Sequence, residues 1–394
     1  MIERASIAMV STPAQLQDLC KRIAGSARVG LDTEFHNERS YAARLMVVQL
    51  AFEDGAAIVD PLAIDDLRPL AEALAGSQVV GHALTSDLKI FSDRFAIVPE
   101  DVFDCQVAAS FLGYGMSISL ADLVRDICNV RLKKSHTVSD WSTRPFSPGQ
   151  IEYLIDDVVH LLEMQDVLSR RLREKGRYEW AMDESRLLGG VDRYRPDRRR
   201  MYLRIPGSNR MSRRELGVLS ELVAMRDRIA RERDVPLKYI LADDVVAGIA
   251  ALRPRSVEEL AQLRRLDGGA RKSLGTTIVE AVRRGEAIPE GDLPSKPSRP
   301  LGMARETLVA LMNVAVGEIA RTNEMPPGLV VPRASLDRVA REVPATFSEF
   351  AAALDVSAWR TELIAEPLWR LLSGDNALRV QGYSAGDPRI TIQS

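Results

Sequence analysis

The sequence predicts a mixed α/β domain followed by an all-helical half. Strand-like runs joined by short links give way, within the first 175 residues, to strands alternating with helices. Beyond Met211 strands vanish and the periodicity is helical. That helical half also repeats itself at a fixed interval.

The elements of the first half follow in order. A strand is expected at 7–10. Thr12-Pro13 then has the form of an N-cap and first helical position, on a helix that turns Leu16, Leu19 and Ile23 inward and stops before Gly25. The runs 28–35, 45–52 and 57–60, linked in part by Glu53-Asp54-Gly55, read as an antiparallel meander. A helix near 64–75 leads to a short buried strand, 78–82, expected to add parallel to the sheet. Asp87 falls just beyond it, in the first turn of a helix running to about Phe95. Ser147-Pro148-Gly149-Gln150 has the form of a capping box with proline at N1. It opens a helix expected over 148–175, with Ile151, Leu154, Ile155, Val158 and Leu162 in one apolar stripe.

Composition bounds the class. A chain of 394 residues, 46% apolar and 27% charged, has room for two or three globular domains. A net charge of −2 argues against a uniformly basic nucleic-acid coat, though it hides local runs. Cys20, Cys105 and Cys128 are odd in number, widely spaced and without a C-x-x-C. That suits a reducing compartment, with neither a disulfide framework nor a zinc site. His36, His82, His136 and His160 include no metal-binding pair at helical spacing. With no basic-then-apolar leader and no run approaching 18 apolar residues, a cytoplasmic location is expected.

The chemistry gathers on carboxylates. In Arg28-Val29-Gly30-Leu31-Asp32-Thr33-Glu34-Phe35, alternation puts Asp32 and Glu34 on one face of a strand, Cα atoms roughly 6–7 Å apart. Such a pair offers the oxygen ligands that Mg²⁺ and Mn²⁺ prefer. One acid solvated at a strand end and the other in a surface ion pair would look the same. Asp87 has an ordinary reading too, as an acid complementing a helix dipole. Tyr153 and Asp157, four apart, share a helix face at the edge of the apolar stripe, with Asp156 on the other flank.

Taken together, Asp32-Thr33-Glu34, Asp87 after Gly81-His82-Ala83, and Tyr153-x-x-x-Asp157 occur in the order of a known superfamily. Between them lies Ser139-Asp140-Trp141-Ser142-Thr143-Arg144-Pro145-Phe146. The arrangement resembles the DEDD 3′-to-5′ exonucleases of the Tyr-x-x-x-Asp subgroup, and within it the bacterial ribonuclease D family. One departure is Val138, where an arginine is expected before Ser-Asp-Trp. The resemblance implies a ribonuclease H-like exonuclease domain with a mixed sheet. It implies Asp32, Glu34, Asp87 and Asp157 as ligands of two Mg²⁺ or Mn²⁺ ions, with Tyr153 as the fifth catalytic residue. Four carboxylates can neutralise two ions about 3.5–4 Å apart that activate water and stabilise the leaving oxygen. A phenol of pKa near ~10 need then only orient the water or help take its proton. Thr33, Phe35, His82, Trp141 and Arg144 are substrate-binding candidates.

In the second half, Ile229-Ala230-Arg231, Pro236, Pro254, Ser256 and Glu259 recur as Ile319-Ala320-Arg321, Pro326, Pro344, Thr346 and Glu349, each 90 positions on. Ser256-x-x-Glu259 and Thr346-x-x-Glu349 both read as capping boxes opening helices. The modules resemble the helical HRDC domain, the first more closely, which implies an accessory nucleic-acid-binding role. Nine arginines lie in the 22 residues from Arg193 to Arg214, with Tyr194 and Tyr202 among them. The run suits phosphate contact and base stacking, Arg198, Arg199 and Arg200 above all, although a solvated face has the same composition.

The expected organisation is an exonuclease domain (1–175), an Arg-rich connector (176–210), an HRDC domain (211–286), a Pro-rich linker (287–300), an HRDC-like domain (301–375) and a C-terminal tail (376–394). The expected activity is metal-dependent 3′-to-5′ exoribonuclease action releasing nucleoside 5′-monophosphates. By resemblance the substrates are transfer-RNA precursors and other small structured RNAs, with no membrane or protein partner implied. The rival readings are a DNA exonuclease of the same superfamily and a non-catalytic nucleic-acid-binding scaffold.

Overall fold

The computed structural model describes residues 7–132, 140–195, 197–296, 301–385 and 389–393. Strand β1 (Ile7–Val10) leads into helix α1 (Pro13–Ala24), opened by a reciprocal capping box between Thr12 and Gln15. Strands β2 (Arg28–His36), β3 (Arg44–Phe52) and β4 (Gly55–Val59) form the expected antiparallel meander. Helix α2 (Arg68–Ala75) starts later than the expected 64–75. The Asp60 carboxylate and carbonyl tie down the turn through Leu62 and Ala63, Asp66 accepts from the Arg68 amide, and Pro69 fixes the first helical turn. Strand β5 (Gln78–Gly81) pairs parallel to β2, as predicted, and is followed by α3 (Thr85–Phe95). A further strand, β6 (Val102–Asp104), pairs parallel to β5 and completes a sheet of order β1-β4-β3-β2-β5-β6.

Helices α4 (Cys105–Ser110), α5 (Leu120–Cys128), α6 (Pro148–Asp156), α7 (Leu161–Glu174) and α8 (Tyr178–Arg186) follow. The expected helix over 148–175 is therefore two helices, broken at residues 157–160. The break lets each half cover a different part of the sheet. Helix α6 packs Leu154 with Met46, Val47 and Ile58, whereas Leu161 at the start of α7 sits over Gly30. A side chain at Gly30 would bring its Cβ to 2.9 Å from that of Ala51 and 3.4 Å from Leu161. Glycine there lets the second helix descend onto β2.

The helical half repeats as the sequence predicts. Helices α9 (Arg213–Glu232), α10 (Leu237–Ile240) and α11 (Asp243–Leu252) precede α12 (Gly268–Glu286). Helices α13 (Met303–Thr322), α14 (Pro327–Val330) and α15 (Arg333–Glu342) restate the first three 90 positions on. Even the left-handed residues recur, Asp234 with Glu324 and Arg253 with Val343. The copies then diverge. The Thr346–Glu349 capping box opens α16 (Phe347–Leu354), but Ser256–Glu259 precedes only a 3₁₀ turn, Glu259–Gln262. Where copy one has the continuous α12, copy two has α17 (Ala358–Arg360), a π turn and α18 (Glu366–Ser373). Strands also return in the tail, where β7 (Ala377–Gln381) and β8 (Arg389–Gln393) form a hairpin. Alternation is too short there to stand out from helical sequence.

The copies attach differently. Copy two shares one hydrophobic core with α4, α5, α7 and α8. Trp359 stacks on Trp180 and meets Phe111 edge-on, and Arg360 forms a bidentate ion pair with Glu184. Copy one keeps its own core, which includes Tyr202 and Ile205, and Tyr41 of the β2–β3 loop packs against it. The Tyr41 hydroxyl donates to Asp227 and its backbone N–H to Asp234. Among the described residues no helix is long and apolar enough to cross a membrane.

Candidate active site

Three of the predicted carboxylates meet. Ligand oxygens of Asp32, Glu34 and Asp157 lie within 4.8 Å of one another. They come from β2 and from the residue that caps α6, so the break after Asp156 places Asp157 as well as α7. Tyr153, one turn earlier, hydrogen-bonds the Asp157 carboxylate. Asp87 stands beside this trio and raises Asp32 by its charge, but its own carboxylate is engaged by the Thr33 hydroxyl at 2.5 Å. The Thr33 hydroxyl thereby supports Asp87.

Burial and mutual repulsion push every acid upward. The Asp32 carboxyl lies well above the usual range, through burial first and then the charges of Asp87, Asp157 and Glu34. Glu34 is pushed up to about 8 by burial, Asp157 and Asp87. Asp87 and Asp157 each rise to about 7, chiefly through burial, despite the lowering bonds from Thr33 and Tyr153. The Tyr153 hydroxyl is raised by burial and the facing carboxylates. Four acids so arranged are unfavourable as anions unless a cation neutralises them, and an all-oxygen donor set suits a hard divalent ion. The residues fit the expected metal.

The other candidates divide. Trp141 is buried, its ring centroid 5.7 Å from that of Tyr153, and its side chain hydrogen-bonds Glu34. With Glu34 and Phe35 it lines a cleft of about 760 Å³ that continues along His36–Ser40 to Asp234 of copy one. Arg144 does not reach into that cleft. It pairs bidentately with Asp60, donates to the Met46, Trp141 and Thr143 carbonyls, and lies over the Phe146 ring. It fastens the Trp141 loop to the sheet. His82 likewise turns away, bonding the Ile118 carbonyl at 3.0 Å, with burial lowering its pKa.

The arginine run divides: Arg193, Arg195, Arg204 and Arg210 are exposed, whereas its two tyrosines are internal. Tyr194 and Tyr202 are buried, their hydroxyls on the Leu188 and Ser295 carbonyls, so neither presents a ring for base stacking. Arg213 and Arg214 bond the backbone and Glu290 around the linker. Arg200 is exposed, while Val138 and the side chains of Arg198 and Arg199 lie outside the described residues.

Two features escaped sequence reading. Asp104, at the end of β6, caps α4 and accepts from the Ala83 and Leu84 amides, fixing the turn that delivers Asp87. An aspartate at a strand end before a helix was its only signal. Cys128, His160 and Glu163 also have ligand atoms within 4.8 Å of one another. Cys128 stands at the end of α5 and the other two at the start of α7, so no local spacing discloses them.

Comparison with known proteins agrees with this geometry. Residues 7–173 match the 3′-5′ exonuclease family model and residues 215–282 the HRDC domain. The chain is 34% identical to ribonuclease D of Granulibacter bethesdensis, covering 95% of this chain and 94% of that protein. It is also 34% identical to ribonuclease D of Acidiphilium cryptum, with 95% of each covered. The crystal structure of Escherichia coli RNase D, described as an exoribonuclease involved in structured RNA processing, covers 94% of this chain and is itself 99% covered. Its TM-score is 0.82 at 27% identity. The chain belongs to the ribonuclease D family and is a hydrolytic 3′-to-5′ exoribonuclease.

Proposed function

We propose that Asp32, Glu34, Asp157 and the adjacent Asp87 hold two divalent ions, Mg²⁺ or Mn²⁺, and that the natural substrates are transfer-RNA precursors and other small structured RNAs. The observation that carries the metal reading is the convergence of three half-buried carboxylates within 4.8 Å. When bound, the ions supply an activated water and stabilise the leaving 3′-oxygen.

The chain supplies the rest. Tyr153 is bonded to Asp157, which fixes its hydroxyl at the rim of the cluster, where it orients the water and relays its proton. Trp141 holds both the Tyr153 ring and Glu34, and Thr33 holds Asp87. Phe35 and Trp141 line the cleft for the 3′-terminal nucleotides. RNA contact by copy one is supported by a groove of about 700 Å³ lined by Arg253, Arg255 and Arg283 beside Glu259 and Glu286, with Arg253 paired to Glu286. Copy two shares its core with the catalytic domain, and we assign it to bracing.

The test is product analysis on a 3′-extended transfer-RNA precursor, with and without EDTA, beside a matched DNA strand. Release of nucleoside 5′-monophosphates from RNA only while the metal is present supports the reading. Equal degradation of DNA would reassign the substrate, and EDTA-resistant release would remove the ions.

A further inference from the structure

Gln49 lies in the middle of β3, fully buried, and neither atom of its amide has a hydrogen-bond partner among the described residues. A buried amide without partners is costly, and native folds rarely keep one without a use. Its register says where the amide sits. Gln49 is directly opposite Asp32 on β2 and opposite Ile58 on β4. Residues opposed across a sheet share a face, so Gln49 projects to the side on which Asp32 meets Glu34 and Asp157. Along its own strand the same-face neighbours are Val47 and Ala51, both buried and apolar. Leu154 of α6, packed with Val47 and Ile58, belongs to the cover over this face. Asp32 is the one polar group among the four sheet positions that frame Gln49.

We infer that Gln49 is a positioning residue of the metal site, its amide N–H donating to the Asp32 carboxylate in the ionised, cation-loaded state. A carboxylate bound to a cation keeps outer lone pairs that need a donor, and Gln49, directly opposite Asp32 on the same face, is placed to supply it. Groups that orient metal ligands in this way commonly change metal affinity about 10–100-fold when removed. The inference rests on the reading that Asp32 binds a cation.

The experiment is direct Mn²⁺ binding to the full-length protein, followed by electron paramagnetic resonance. Wild type is compared with Gln49→Met and Gln49→Leu, and metal-free melting temperatures are taken in EDTA. Both variants are expected to bind Mn²⁺ about 10–100-fold more weakly, with metal-free melting temperatures unchanged or higher because an unpartnered amide is gone. Wild-type Mn²⁺ affinity in either folded variant overturns the inference. So does weaker binding accompanied by a lower metal-free melting temperature, since that is the mark of a packing defect. Failure of the wild type to bind Mn²⁺ would instead sink the metal reading itself.

Discussion

Trp141 touches both halves of the catalytic machinery, packing 5.7 Å from the Tyr153 ring centroid while its side chain hydrogen-bonds Glu34. Trp141→Phe keeps an aromatic wall but removes the donor to Glu34. A hydrogen bond to a charged group is worth about 1.5–3 kcal/mol, so single-turnover hydrolysis should slow by about 10–100-fold with RNA affinity nearly unchanged. A rate within twofold of wild type would reduce Trp141 to packing.

Asp157→Asn should raise the metal requirement, because it removes a charge from the cluster. Tyr153→Phe keeps the ring and should leave metal binding intact while slowing the chemical step about 10²–10⁴-fold. Asp156→Asn, one residue from Asp157, should be nearly silent. Metal titration beside single-turnover kinetics for the three variants separates these roles. An inactive Asp156→Asn with an active Asp157→Asn would assign the ligand to the wrong aspartate.

The raised carboxyls make metal-free stability depend on pH. Folded Asp87 and Asp157 titrate at about 7 and Glu34 at about 8, with Asp32 also raised. Unfolded carboxylates titrate near ~4. Between those limits the folded chain holds protons that the unfolded chain has lost, so stability falls as pH rises from about 4 to about 8. Asp32→Asn should flatten this slope in EDTA and melt higher than wild type at pH 8. Saturating Mg²⁺ should flatten it in the wild type. A metal-free slope equal in wild type and Asp32→Asn would contradict the repulsion.

Arg360 and Glu184 join copy two to the catalytic body, with side chains only 10% and 14% exposed. Glu184→Gln leaves the guanidinium without its counter-charge and should cost about 3–5 kcal/mol, read as a lower denaturation midpoint. A chain ending at Lys175 would expose the face of α4, α5 and α7 that α8 and copy two cover. It should be insoluble or expanded, which scattering and near-ultraviolet circular dichroism would report.

Tyr41 holds copy one to the rim of the cleft. Tyr41→Ala should leave hydrolysis of a dinucleotide within about twofold while reducing affinity for a structured RNA. It should also weaken the salt dependence of binding, since fewer phosphate contacts release fewer counterions. Unchanged affinity and slope would assign copy one to bracing as well.

What was legible in the sequence was local or periodic. Alternation put Asp32 and Glu34 on one face, the Thr12 N-cap and the Ser147 capping box marked two helix starts, and the 90-residue interval disclosed the repeat. What was not legible depends on where separate segments meet. Nothing near Arg144 says that Asp60 will claim its guanidinium, and nothing near Tyr202 says that its hydroxyl will find Ser295. The stripe over 148–175 continues at helical spacing through the break, because Val158 within the turn and Leu161 just after it both stay buried. The steering contact is Leu161 over Gly30, well over a hundred residues away in sequence.

Copy one leaves the catalytic body after Tyr194, which packs on the sheet side of α3, and the chain rejoins that body at Leu301. Spatially, then, the chain order is misleading: the last module is part of the first, and the middle one is an excursion with its own interior. Such an excursion behaves as a cassette. Exchange, lengthening or excision of it between its two connectors should leave the core around the carboxylates closed, because that core and the interior of copy one are separate.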